Sequence, residues 1–196
     1  MIIWHGSTKI IEKPMYGFGK TNNDYGIGFY CTESEELAKE WACQIPGKDG
    51  YANAYTLDTS NLKTVSLLDS QYTILNWLAL LVKNRNFRAS TAVARQGKEY
   101  LLNNFLPDIT VYDIVVGYRA DDSYFSFARS FVNNEISLEQ LSFAMKLGKL
   151  GEQIVLKSEK AFSSLDFLKF SIASSNEYYS KRKKRNDEAN QEFRKQ

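Results

Sequence analysis

His5 is the only histidine of the chain, and it is followed by Gly6 and Ser7. A single imidazole with two cysteines, Cys31 and Cys43, cannot complete an ordinary zinc site without carboxylates, and two cysteines are too few for a disulfide scaffold. Nothing basic flanks either thiol, so both read as small buried apolar residues. Gly17-Phe18-Gly19-Lys20-Thr21 has the ending of a phosphate-binding loop, but Pro14 stands where that loop needs its first glycine, and no strand leads into it. Gly26-Ile27-Gly28 lacks the third glycine of a dinucleotide fingerprint, Cys31 taking its place, and it opens a strand where the fingerprint closes one. A Ser–His–carboxylate triad assembles in space rather than by spacing, so no serine is singled out. Three short segments remain: His5-Gly6-Ser7, the run Asp24-Tyr25-Gly26-Ile27-Gly28-Phe29-Tyr30-Cys31-Thr32, and Leu150-Gly151-Glu152-Gln153-Ile154-Val155-Leu156. In the last, Glu152 and Gln153 are adjacent, and neighbours in a strand point to opposite faces, so only one of them can enter a shared site.

The elements that must position these segments follow from periodicity. Residues 1–5 read as a short buried strand, and Gly26–Thr32 as a strand in which Ile27, Phe29 and Cys31 alternate with Gly28, Tyr30 and Thr32. Thr32 with Glu35 matches a capping box, and Leu37, Ala38, Trp41, Ala42 and Ile45 follow at helical spacing until Pro46-Gly47. Tyr51–Leu57, Lys63–Ser66, Thr110–Gly117 and Gln153–Ser158 are predicted strands. Leu67–Arg88, Ser90–Phe105, an aromatic-rich run to about Phe131, and Leu138–Leu147, capped by Ser137 with Gln140 and ended at Gly148 or Gly151, are predicted helices. A short segment around Ala161–Phe170 closes the body. Strands at both ends with helices grouped between them predict an α+β fold with a mixed or antiparallel sheet, because regular βαβ alternation is absent.

With 196 residues, 43% of them apolar, the chain fits one domain with a sizeable core, and wholesale disorder is excluded. The longest apolar stretch, Trp77–Val82, is far short of the roughly 20 residues of a membrane span. Met1-Ile2-Ile3-Trp4-His5 lacks the basic start and apolar run of a secretion signal, so a cytoplasmic protein without membrane partners is expected. The formal charge of +2 hides an asymmetry: the last nineteen residues, with Lys181-Arg182-Lys183-Lys184-Arg185, carry +4 and the remainder −2. The basic run reads as a solvated helix end or tail, since no aromatic residues interleave with it as base stacking would want. Residues 1–170 are expected to form the body, and 171–196 a charged C-terminal helix or tail.

Taken in order, the three segments resemble the motifs of the ADP-ribosyltransferase superfamily, in the diphtheria-toxin and poly(ADP-ribose) polymerase branch with its His, Tyr and Glu positions. To about residue 170 the chain is similar to a bacterial family of uncharacterised proteins placed in that superfamily. The resemblance implies a split, clamp-like α+β fold holding nicotinamide adenine dinucleotide (NAD) as substrate. It implies that His5 bonds a ribose hydroxyl of the adenosine half, that Gly6 offers its backbone to the nicotinamide carboxamide, and that Ser7 supports the pocket. Tyr30 would lay its ring on the nicotinamide, Gly26 and Gly28 would let the backbone pass close to the ligand, and Thr32 and Trp41 would lie near the pocket wall.

The implied activity is mono-ADP-ribosyl transfer, a glycosyltransferase reaction in which the nicotinamide–ribose bond is cleaved. Positive charge develops on the sugar, as in glycoside hydrolysis, so a carboxylate beneath it stabilises the transition state. Against the bacterial family Gln153 is the matching position, and against the polymerase branch Glu152; a glutamine there brings no charge. The resemblance therefore also admits a weak or inactive module that binds NAD or ADP-ribose, and an NAD glycohydrolase. The acceptor stays open among protein, nucleic acid and small molecule. A toxin restrained by an antitoxin or other neighbouring-gene partner also fits the resemblance. Asp121 and Asp122 match a polar pair of that bacterial family and read as a helix cap.

Overall fold

The computed structural model of the chain describes residues 1–120, 122–145, 147 and 152–195, with backbone alone at 122–124. Asp121, expected to help cap a helix, Gly148, expected to end one, and the Leu150-Gly151 pair of the third segment lie outside the described residues. The chain is α+β, built on two sheets. In the first, β1 (Ile2–Ser7) and β7 (Leu165–Ala173) flank β3 (Gly50–Leu57), all antiparallel. In the second, β6 (Glu152–Leu156) lies between β2 (Phe29–Cys31) and β5 (Ile114–Tyr118), antiparallel to both, and β4 (Thr64–Ser66) pairs parallel with β5.

Helix α1 (Glu35–Ala42) covers the first sheet through small residues: Ala38 packs with Trp4, Ala52 and Ala54. The fit is close enough to require glycine below it, since a Cβ on Gly6 would stand 2.1 Å from the Ala38 carbonyl oxygen, and one on Gly50 2.7 Å from that of Ala42. Between β4 and β5 run α2 (Ile74–Asn84) and α3 (Ala92–Phe105); between β5 and β6 run α4 (Asp122–Val132) and α5 (Leu138–Ala144). The apolar stretch Trp77–Val82 is buried throughout, as a helix apolar on all sides must be, and α2 forms the centre of the larger core. A second cluster, with Ile3, Phe29, Tyr55, Ile154 and Leu156, fills the space between the sheets. No helix among the described residues is long and apolar enough to cross a membrane.

Several predicted boundaries move, each for a local reason. Strand Gly26–Thr32 shrinks to β2 because Gly26 adopts φ +76°, which ends an extended run. The expected capping box at Thr32 is replaced by Ser34, whose hydroxyl accepts from the Leu37 N–H, while the Thr32 hydroxyl accepts from the Ser34 N–H. Helix 67–88 begins only at Ile74, after turns closed by Asp69 and Tyr72. The strand expected from Thr110 starts at Ile114, because the Asp108 carboxylate holds the Thr110 amide and hydroxyl in a turn. The segment around Ala161–Phe170 divides into α6 (Glu159–Ser163) and β7, so the body reaches Ala173. The basic C-terminal run forms α7 (Ser175–Phe193), which packs on α1 through Tyr178 to Glu36 (3.0 Å) and Arg185 to the buried Glu40 (2.6 Å).

Candidate functional site

β1 and β2 meet through one pair of residues. Trp4 donates to the Thr32 carbonyl at 2.7 Å, and Thr32 donates back to Trp4 at 2.9 Å. Beyond this bridge the strands part around a cleft of about 740 Å³, within the range of small-molecule sites. Antiparallel pairing alternates the direction of the backbone groups, so Gly6, two residues after Trp4, turns its N–H and C=O toward the same edge. That edge lines the cleft. The loop that follows β1 is anchored by the fully buried Asn53: its side-chain amide donates to the His5 and Lys9 carbonyls, and its oxygen accepts from Ile11.

His5 donates from Nδ1 to the Tyr30 carbonyl (2.7 Å), an oxygen that can only accept, and its ring stacks on Phe29 at 4.2 Å. Burial lowers its pKa below the usual 6.5, more than the Tyr30 carbonyl raises it. The neutral ring therefore carries its proton on Nδ1 and keeps Nε2 as an acceptor. Tyr30 points to the same face of its sheet as Gln153, since Tyr30 pairs with Val155 and residues two apart share a face. Its hydroxyl donates to the Gly26 carbonyl (2.6 Å) and accepts from the Tyr25 amide (3.0 Å), and burial pushes the phenol far up. A hydroxyl held on both sides fixes the ring and takes the phenol out of proton transfer.

Gln153 is 3% exposed and lines the cleft, whereas Glu152 is exposed on the other face and does not. The Gln153 amide nitrogen donates to Asp24 Oδ2 (2.8 Å) and to the Tyr118 carbonyl (3.1 Å), which leaves its carbonyl oxygen as the acceptor. Asp24, buried at 6%, also accepts from the Ala120 amide (2.8 Å) and pairs with Arg85 Nε at 3.3 Å. Burial raises the Asp24 carboxyl, and Arg85, Ala120 and Gln153 pull against that rise.

Of the expected site residues, His5, Gly6, Gly28, Tyr30, Trp41 and Gln153 come together on this cleft. Ser7 accepts from the Lys9 amide, Gly26 serves the turn that holds Tyr30, and Thr32 is buried in the bridge; with Glu152, these lie outside the lining. Gly28 also lets β2 approach β6, since a Cβ there would meet Val155 Cγ1 at 2.6 Å. Trp41 is buried, its indole N–H has no hydrogen-bond partner among the described residues, and the Arg119 guanidinium lies 4.4 Å from its ring centre.

Sequence reasoning missed Asp24 and the cations. Lys9, Lys13, Lys20, Arg85, Arg119 and Arg182 face the cleft, and Asp24 is the one carboxylate among the described lining residues. Asp24 opens the second segment, where the resemblance assigns it no role; no signal in the sequence brings Arg85 or Arg119 beside it. A family model described as Protein of unknown function (DUF3990) matches residues 1–167. No curated protein matches, and neither does any solved structure.

Proposed function

The chain belongs to the DUF3990 family, and we propose that its cleft binds NAD, cleaves the nicotinamide–ribose bond and passes ADP-ribose to an acceptor: protein, nucleic acid or small molecule. The observation that carries this reading is convergence: His5, Gly6 and Tyr30 from the start of the chain and Gln153 from near its end line one cleft rimmed by cations. Each role suits the geometry. His5 Nε2 accepts from a ribose hydroxyl of the adenosine half. The Gly6 backbone edge offers a donor and an acceptor to the nicotinamide carboxamide. The held Tyr30 ring gives the cationic nicotinamide a face worth about 0.5–2 kcal/mol, and the lysines and arginines receive the pyrophosphate.

In the reaction the bond from the ribose carbon to the ring nitrogen breaks and its electron pair leaves with neutral nicotinamide. The acceptor's nucleophile forms the new bond to that carbon and releases its proton to solvent. Two free, buried cysteines, Cys31 and Cys43, support a reducing cytoplasmic setting. Calorimetry with NAD and an assay of released nicotinamide test the reading. Wild type is expected to do both, and His5→Ala and Tyr30→Ala to weaken binding about tenfold or more; affinity unchanged in both variants removes the site assignment. The uncharged Gln153 favours a second reading, a module that binds the dinucleotide without turning it over, and binding with no nicotinamide release in the presence of cell lysate would select it.

A further inference from the structure

We propose that Asp24 supplies the negative charge that Gln153 lacks, acting through the Gln153 side chain on the sugar at which positive charge develops. The inference rests on the proposed cleavage. A reaction that builds a cation is disfavoured among six lysines and arginines, and Asp24 is the one carboxylate facing them among the described lining residues. The carboxylate lines the cleft and touches two other lining side chains, Arg85 and Gln153, of which Gln153 carries no charge. The Gln153 amide nitrogen gives one hydrogen to Asp24 Oδ2 (2.8 Å) and the other to the Tyr118 carbonyl (3.1 Å), which fixes its rotamer and turns its carbonyl oxygen away from both. An amide donating to a carboxylate is polarised, so that oxygen becomes a stronger acceptor for a ribose hydroxyl. Asp24 is thus a positioning and charge-supplying residue, and Gln153 is the group that touches the sugar.

A structural role for Asp24 would need only its two acceptor oxygens. The Ala120 amide (2.8 Å) and Gln153 bond to Oδ2, while Arg85 (3.3 Å) approaches Oδ1. An asparagine side chain at this position preserves the shape and, with its oxygen in the place of Oδ2, accepts from Ala120 and Gln153, while its amide nitrogen faces Arg85 Nε, so Asp24→Asn removes the charge together with the Arg85 contact. The same geometry governs Gln153→Glu. A carboxylate placed where the amide now lies 2.8 Å from Asp24 would meet a like charge, and the pair would have to share a proton. Combining the two substitutions moves the charge from position 24 to position 153, and the introduced side-chain amide, turned toward the introduced carboxylate, restores that contact at the expense of the one from Ala120.

The test is nicotinamide release and calorimetry with NAD on wild type, Asp24→Asn, Gln153→Glu and the double variant, with folding followed by circular dichroism. Asp24→Asn is expected to keep its dissociation constant for NAD within about threefold and to lose kcat by roughly tenfold to a hundredfold, the range for one charge some 7 Å away at an effective dielectric near 20. Gln153→Glu alone is expected to be slower than wild type, and the double variant to recover at least tenfold over either single one. Should Asp24→Asn not fold, the comparison of Gln153→Glu with the double variant carries the same information. Unchanged kcat in Asp24→Asn, or a double variant no faster than Gln153→Glu, overturns the inference. Wild type that binds the dinucleotide and releases no nicotinamide overturns it while sparing the binding half of the proposed function, and wild type that does not bind overturns both.

Discussion

His5 is the only histidine, so its titration can be followed on one imidazole resonance without assignment by mutation. Burial lowers its pKa from 6.5, which means that between the folded value and 6.5 the unfolded chain binds more protons than the folded one. In that window the contribution of His5 to stability rises with pH and is lost as pH falls. Urea unfolding is expected to show lower stability at pH 5.5 than at pH 7, with a smaller drop in His5→Asn; a resonance titrating at or above 6.5 would contradict the buried neutral ring. Binding of NAD should weaken over the same interval, because an imidazolium has no acceptor left at Nε2. Gly6 illustrates what a sequence can and cannot tell about one residue. Its glycine character reads as room for a ligand, yet the missing Cβ makes room for α1, and only its backbone faces the cleft. Gly6→Ala is accordingly expected to lower the unfolding free energy by about 1–3 kcal/mol or more through overpacking against backbone, a loss visible in urea titration with no ligand present. The choice between Glu152 and Gln153 needed only strand alternation and the knowledge of which face is covered, whereas the Asp24–Gln153 contact spans 129 positions and leaves no local trace.

Among the elements, those with a dense apolar run or a local cap signal were legible: β3, the Trp77–Val82 stretch of α2, the capping box of Ser137 and Gln140, and β6. β7 was not, because the register shift opposite Ala54 and Tyr55 leaves Leu168 as an extra residue and breaks the alternation, which passes from Leu165 and Phe167 to Leu168, Phe170 and Ile172. α7 is predicted as a charged helix or tail, with no sign of where it docks. Its sequence is polar nearly all round, and what ties it down is two ion pairs to α1, Arg185 with Glu40 and Lys181 with Glu36, and a few anchors in place of an apolar stripe. Arg185 holds Glu40, whose side chain is 5% exposed, at 2.6 Å. Removing the cation strands a buried carboxylate, so Arg185→Met is expected to destabilise by about 2 kcal/mol, less than a fully buried pair because the arginine is partly solvated. A shift of the urea midpoint by less than the scatter of replicate curves would show that α7 is held by other contacts. Since Arg182 on the same helix reaches the cleft, the variant should also bind NAD more weakly.

At the scale of the whole molecule the two sheets are joined along the cleft by the Trp4–Thr32 bridge, and the groups that would grip a dinucleotide sit on both sides of it: His5 and Gly6 on one sheet, Tyr30 and Gln153 on the other. A ligand that touches both halves stabilises the folded state by mass action, about 2.7 kcal/mol at a concentration one hundred times its dissociation constant. For a domain of this size that corresponds to a rise in Tm of roughly 5–10 °C. Six cations against one carboxylate among the described lining residues make the cleft selective for the anionic centre of the ligand, so the shift at fixed NAD concentration is expected to shrink as sodium chloride is raised from 50 to 500 mM. ADP-ribose should keep the salt dependence and lose the contact with Tyr30, giving a smaller shift than NAD, and nicotinamide alone should give almost none. The same series in Tyr30→Ala separates the two halves of the site: the difference between NAD and ADP-ribose should vanish there, while the dependence on salt persists. A shift indifferent to salt, or equal for NAD and ADP-ribose in the wild type, would mean that the cations or the tyrosine face do not meet the ligand, and that the cleft between the sheets grips something other than a dinucleotide.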